Sequence, residues 1–212
     1  MPRNGSPDAP MLLLATGNRG KQKELQALLA PYGWQLRTPD QVGGLPPVEE
    51  HGGSYAENAT LKARAAAQHT GLWALADDTG LEVDALNGAP GLHSARFGPR
   101  GQAGTDAERR AHLLALLRGH PRPWAARFRC VVALAGPDGT LILADGVLEG
   151  EIIPTPQGEH GFGYDPLFWL PELGRTLAQL SLEAKNRLSH RARAVQRLGP
   201  ALRALAAGTR AA

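Results

Sequence analysis

The chain has 212 residues, enough for one large domain or two lobes sharing a core. Apolar residues make up 42% of it, no apolar run reaches about 18 residues, and MPRNGSPDAP at the N-terminus has no apolar signal region, so no membrane association is expected. A formal charge of +3 spread along the chain argues against a stable nucleic-acid complex, and the lone Cys130 allows no internal disulfide, so a reducing cytoplasm fits best.

Residues 1–10, rich in Pro, Gly and Asn, are expected to be a disordered tail, with one domain over 11–212 beginning at Met11. MLLLA (11–15) reads as a buried strand, and KQKELQALLA (21–30) has the 3.6-residue spacing of an amphipathic helix that Pro31 and Gly33 end. After a Gly/Pro-rich link (43–47), Ser54 and Glu57 have capping-box spacing and open a helix to about Thr70. WALA (73–76) is a strand that delivers Asp77 and Asp78 to its C-terminal end, where Thr79 and Gly80 are expected to break it. Residues 79–104 read as irregular Gly and Pro turns, and a second capping box, Thr105 with Glu108, starts a helix to about Leu117. ARFRCVVALA (126–135), the turn PDG (137–139) and TLILADGVL (140–148) predict an antiparallel hairpin. HGFGYDP (160–166) is a loop, and a helix from about Ser189 to Ala207 closes the chain. The order of elements predicts an α/β fold with a mixed sheet flanked by helices.

Four segments carry groups suited to chemistry. ATGNRGK (15–21) joins a strand to a helix, so its backbone N–H groups and the helix N-terminus form an anion site to which Lys21 adds a charge. Its spacing excludes a Walker loop, and an ordinary glycine turn is the alternative. Glu49, Glu50, Asp77 and Asp78 are the carboxylates that a hard cation wants beside phosphate oxygens. Neighbours on a strand face opposite sides, so only one of Asp77 and Asp78 can point straight into a given cleft; the spacing leaves the choice open, and a turn cap is the alternative for either. In HGFGYDP the third glycine of a dinucleotide fingerprint is missing; Phe162 between two glycines either offers its ring to a base or plugs the core. EAKNRLSHRAR (183–193) places Lys185, His190 and Arg191 near a helix start, either for an oxopurine edge and phosphate or as a solvated basic face. The chain has nineteen Arg but only four Lys, and Lys21, Lys62 and Lys185 all fall in or beside these segments. His69, His112 and His120 are read as ordinary structural or surface histidines.

Taken in order, ATGNRGK, SYAENATLKARAAA (54–67), ADDTGLEVDALNGAPGLHSARF (76–97), GFGYDPLF (161–168) and SHRARA (189–194) resemble the inosine triphosphate pyrophosphatase family, which acts on noncanonical purine nucleoside triphosphates. The resemblance implies an elongated fold of two lobes with a central substrate cleft, a homodimer, and use of Mg²⁺. It implies that Thr16, Gly17, Asn18, Arg19, Gly20 and Lys21 grip the triphosphate, that Glu50 and Asp78 hold the metal, and that Asp78 accepts a proton from the attacking water. Thr79 stands where the family commonly has Ser, and Lys62 resembles a further phosphate contact. Phe162, Gly163, Tyr164 and Asp165 would frame the base, with Lys185, His190 and Arg191 completing the pocket. The glycine-rich GPRGQAG (98–104) stands where a lid loop is expected. Two competing readings are a pyrophosphatase for modified pyrimidine or methylated nucleotides, similar to the Maf-like family, and a nucleotide-sensing module without catalysis.

Overall fold

The computed structural model describes residues 9–99 and 104–208. Its strands are β1 (Met11–Leu14), β2 (Gln35–Arg37), β3 (Trp73–Val83), β4 (Trp124–Ala135), β5 (Leu141–Ile152), β6 (Phe168–Leu170) and β7 (Arg175–Thr176). Its helices are α1 (Arg19–Leu29), α2 (Tyr55–Thr70), α3 (Asp106–Leu117), α4 (Leu182–Leu188) and α5 (His190–Gly208). The strands form one open sheet in the order β2-β1-β3-β4-β5-β6-β7, flanked by helices. β1 pairs parallel with β2 and β3, while β5 with β6 and β6 with β7 are antiparallel, so the sheet is mixed. Leu12, Leu13 and Leu14 have no exposed surface, as befits a parallel strand buried on both faces.

The chain divides into two compact units, one comprising residues up to Asp78, Val131–Gly146 and Arg191 onward, the other Thr79–Cys130 and Val147–His190. One core cluster of the first is built largely from alanine. Ala59, Ala63, Ala66 and Ala67 recur at helical spacing along α2 and pack with Ala74, Ala76, Ala133 and Ala135. Side chains that small let a helix approach its sheet closely. The second unit fills its core with large groups, among them Trp124, Phe128, Leu148, Phe168 and Leu113.

Three sequence expectations change. β3 does not stop at Asp78 but runs through Thr79 and Gly80 to Val83. Glycine lowers strand propensity, yet β4 lies alongside and sheet pairing overrides that weak preference. The stretch after it is more regular than expected, with 3-10 turns at Asp84–Leu86 and Gly91–Arg96. The described fold starts at Ala9 rather than Met11: Ala9 is buried, and the Pro10 carbonyl accepts the Gln35 N–H at 2.8 Å. Residues 1–8 of the expected tail, and 100–103 of the expected lid loop, lie outside the described residues.

Candidate active site

The loop over residues 15–18 is built by the end of β1. The Ala15 N–H donates to the Leu75 carbonyl at 2.8 Å, the chain then leaves the sheet, and α1 begins at Arg19. Asn18 caps the helix by accepting the Lys21 N–H at 3.1 Å, Thr16 Oγ1 accepts the Asn18 N–H at 3.2 Å, and the Gln22 side chain ties back to the Thr16 carbonyl at 2.7 Å. No carboxylate stands in the first turn of α1, which holds Arg19, Gly20 and Lys21, so the positive end of the helix dipole is left for an outside anion. Gly17 has neither a left-handed backbone nor any atom within 4 Å of where a Cβ would sit. The glycine is therefore not demanded by the local turn, and the open space above it suits close approach by a ligand. A cavity of about 280 Å³ adjoins this loop, lined by Thr16, Gly17, Leu45, Pro46, Lys62 and Ala66 among others.

β1 ends at Leu14, so Asp77 and Asp78 lie where β3 has outrun its parallel neighbour. Alternation along the strand gives the two carboxylates different partners. Asp77, 2% exposed, has its Oδ2 at 2.9 Å from Lys21 Nζ and 3.1 Å from Arg191 Nη2; the same guanidinium also pairs with the buried Glu24 of α1. Burial alone would raise the Asp77 carboxyl, but the charges of Lys21, Arg191 and Lys62 outweigh it and hold the group far below the usual carboxylate range. Asp78 has its Oδ1 at 3.0 Å from Lys62 Nζ, which also lies 2.8 Å from Glu50 Oε1. Asn58 Nδ2 donates to Asp78 Oδ2 at 3.3 Å while its own Oδ1 accepts the Gly52 N–H at 2.9 Å, fixing the loop that carries Glu50. Here burial prevails, helped by the Glu50 charge, and Asp78 is pushed above its ordinary value despite Lys62. Burial favours the neutral form of Lys62, yet Asp78, Asp77 and Glu50 together raise it. The asymmetry is one of number, since a single ammonium serves several carboxylates. Glu49 is exposed, and Thr79, half-buried, follows in the strand.

In the second unit, the loop from Gly161 to Asp165 is held from below. The Asp165 carboxylate, 3% exposed, accepts the Phe162 N–H at 2.9 Å and lies 2.5 Å from the buried Lys185 Nζ of α4. Gly161 has φ +76°, and a Cβ there would come within 2.0 Å of Asp165 Oδ2, so only glycine lets the carboxylate fold beneath the loop. The Phe162 ring is half-buried, with the Lys185 ammonium 4.9 Å from its centroid. Tyr164 is a core residue whose hydroxyl donates to the Ser94 carbonyl at 3.0 Å, and burial pushes its phenol up, keeping it a donor. His190 stacks on Phe128 with ring centroids 4.7 Å apart.

Thus the structure joins Lys21, Arg191 and Asp77 in one cluster of the first unit, Glu50, Lys62 and Asp78 in another, and Phe162, Asp165 and Lys185 in the second unit. Arg191, grouped by sequence with Lys185 and His190, spends its guanidinium on Asp77 and Glu24. Sequence reading passed over Glu24 as a site neighbour, and gave Asn58 no role of its own. Both were within reach: Glu24 follows Lys21 by three residues and Asn58 precedes Lys62 by four, spacings that share a helix face.

An open mixed sheet with paired carboxylates beyond the end of a parallel strand defines an α/β protein whose site lies at strand ends. A model of the Ham1 family matches residues 12–201, and the chain belongs to that family. It is 51% identical over 187 residues to the dITP/XTP pyrophosphatase of Desulforamulus reducens, covering 88% of this chain and 92% of that one. It is 50% identical over 190 residues to the dITP/XTP pyrophosphatase of Thermus thermophilus, covering 88% and 89%. Among solved structures it is similar to a HAM1 protein from Coxiella burnetii, with TM-score 0.81 and 40% identity over 91% of this chain and 98% of that one. The Ham1 protein of Staphylococcus aureus gives TM-score 0.79 and 36% identity over 92% and 99%.

Proposed function

We propose that the protein hydrolyses noncanonical purine nucleoside triphosphates, ITP, dITP and XTP, to the monophosphate and pyrophosphate, removing them from the nucleotide pool. The observation that carries this is the convergence of Glu50 and Asp78 on the Lys62 ammonium, in a chain half identical to dITP/XTP pyrophosphatases. Two hard carboxylates already sharing one positive charge fit Mg²⁺, which is commonly bound by one or two carboxylates plus substrate phosphates rather than by a protein cage. Glu50 and Asp78 would hold the ion, and when bound it would neutralise phosphate charge and acidify the attacking water.

The chain's own groups supply the rest. Lys21, Lys62 and the N–H groups of Thr16 to Lys21 receive the triphosphate. Asp78, raised by burial, takes the proton of the water that attacks between the α and β phosphates. Phe162, Gly163, Tyr164 and Asp165 receive the base, with Lys185 and His190 beside them and Thr79 offering a hydroxyl to phosphate. Arg191 secures the Asp77 cluster. A donor facing the 6-keto oxygen would reject adenine, whose amine sets donor against donor, by up to about 10⁴-fold. The homodimer and cytoplasmic location implied by the resemblance belong to the same proposal, and no described helix is long and apolar enough to cross a membrane. The test is pyrophosphate release from ITP, dITP, XTP, ATP, GTP and a pyrimidine triphosphate, with and without Mg²⁺. Preference for the three noncanonical purines, lost on chelation, is expected; preference for the pyrimidine would overturn the assignment.

A further inference from the structure

Helix α3 opens against the loop proposed to receive the base, and nothing above gives it a part in the reaction. Gly163, central in that loop, has φ +62°, a left-handed backbone. Both polar groups of this one residue are taken by the first turns of α3: its N–H donates to Asp106 Oδ2 at 2.6 Å, and its carbonyl accepts from Arg110 Nη1 at 2.7 Å. Asp106 and Arg110 are four apart and share a helix face. Their hold is reinforced by Arg109, which pairs with the other Asp106 oxygen and donates to the Gly104 carbonyl. The capping box of Thr105 and Glu108 fixes the start of the helix.

We infer that Asp106 and Arg110 are positioning residues for base selection: α3 clamps Gly163 and so sets where Phe162 and Tyr164 stand. This rests on the reading of residues 161–165 as the base loop. Within the loop, the Phe162 carbonyl accepts the Asp165 N–H at 3.2 Å and so bears only on the peptide before Gly163, while Asp165 to Lys185 and Tyr164 to Ser94 run from side chains; the peptide after Gly163 is held by Arg110. Tilting either peptide plane at Gly163 breaks one of the two α3 bonds. A positioning error of about an ångström can cost about a hundredfold in rate, so a loosened loop loses discrimination before it loses phosphate chemistry.

The test compares KM, kcat and the ITP:ATP ratio of kcat/KM in the full chain and its variants. Asp106→Ala should raise KM for ITP about tenfold, leave kcat within about twofold, and shrink the ITP:ATP ratio about tenfold, the scale of one charge-assisted hydrogen bond. Asp106→Asn keeps an oxygen for the Gly163 N–H and should retain most of the ratio, and Arg110→Leu should resemble Asp106→Ala. An Asn variant as unselective as the Ala variant, or an Ala variant with an unchanged ratio, overturns the inference. Phe162→Ala separates the two levels: if it shrinks the ratio while Asp106→Ala does not, only the α3 inference falls. If the unaltered protein shows no preference for ITP over ATP, the base-loop reading falls and takes the inference with it.

Discussion

The first unit places most of its charged site groups on regular elements, with Glu50 on a loop, whereas the second holds its loop largely by ties to backbone groups. Lys21, Asn58, Lys62, Asp77 and Asp78 sit on α1, α2 and β3, and an alanine core brings α2 close to its sheet. Around Gly161 and Gly163, by contrast, glycine conformations, a buried carboxylate and the face of α3 fix the chain. Charge interactions need distances that a rigid helix and strand supply, while a planar ligand needs a surface that a turn can shape. Within the first unit the same contrast recurs between two adjacent residues. Asp77 is paired with Lys21 and Arg191 and held below the usual carboxylate range, whereas burial raises Asp78 despite its pairing with Lys62; the proposed mechanism assigns the proton to Asp78.

The largest expected effect tests that last division. Asp78→Asn should lower kcat by about 10³-fold or more while nucleotide binding stays measurable by calorimetry, because Asn keeps the shape but cannot take the proton. Turnover within tenfold of the unaltered protein would remove Asp78 from the chemistry.

Next comes stability, where the two neighbours should move in opposite directions. Asp77→Asn leaves Arg191 and Lys21 incompletely paired and should cost about 3 kcal/mol by denaturant titration. The depressed carboxyl of Asp77 contributes stability above the unfolded value of 3.8 that is lost only as pH falls through its lower folded value. The deficit of Asp77→Asn is therefore full at neutral pH and shrinks below 3.8. For Asp78 the folded value is raised, so its contribution is full below 3.8 and lost as pH rises through that folded value. In metal-free protein Asp78→Asn should thus match the parent in acid and exceed it in stability at neutral pH. Equal and same-signed shifts for the two variants would erase the distinction.

The third effect belongs to the second unit. Gly161→Ala meets both a left-handed φ and a contact of 2.0 Å with Asp165, so the carboxylate must leave its place between the Phe162 N–H and Lys185. The ITP:ATP ratio should fall about tenfold, measured by pyrophosphate release, with little change in kcat. A fall in kcat alone would mean that the loop serves the phosphate chemistry instead.

How much of this was legible in sequence follows the same divide. Local chemistry was readable: the Ser54 and Thr105 caps, the buried MLLL strand, and the amphipathic helices stand where their patterns put them. β2, β6 and β7, of two or three residues, carry too little periodicity to be seen, and they exist because a neighbouring strand pairs with them. The Thr79-Gly80 break was misread for the same reason, since a sheet partner is invisible along one strand. In the candidate site the residue types were readable from motifs, but their partners were not. Arg191 and Glu24 are 167 positions apart, a separation that no spacing rule can bridge.

The smallest effect asks how far the first unit depends on its local caps. Ser54 Oγ accepts the Glu57 N–H at 3.2 Å and starts the helix that carries Asn58 and Lys62. Ser54→Ala should cost about 1 kcal/mol of stability, the usual loss for an N-cap. Activity should stay within about twofold, because Asn58 is separately tied to Gly52 and Asp78, and the buried alanines of α2 hold its axis. If kcat instead fell along with stability, the placement of Lys62 and Asn58 would depend on the first turn of α2. The first unit would then rely on a backbone anchor much as the second does.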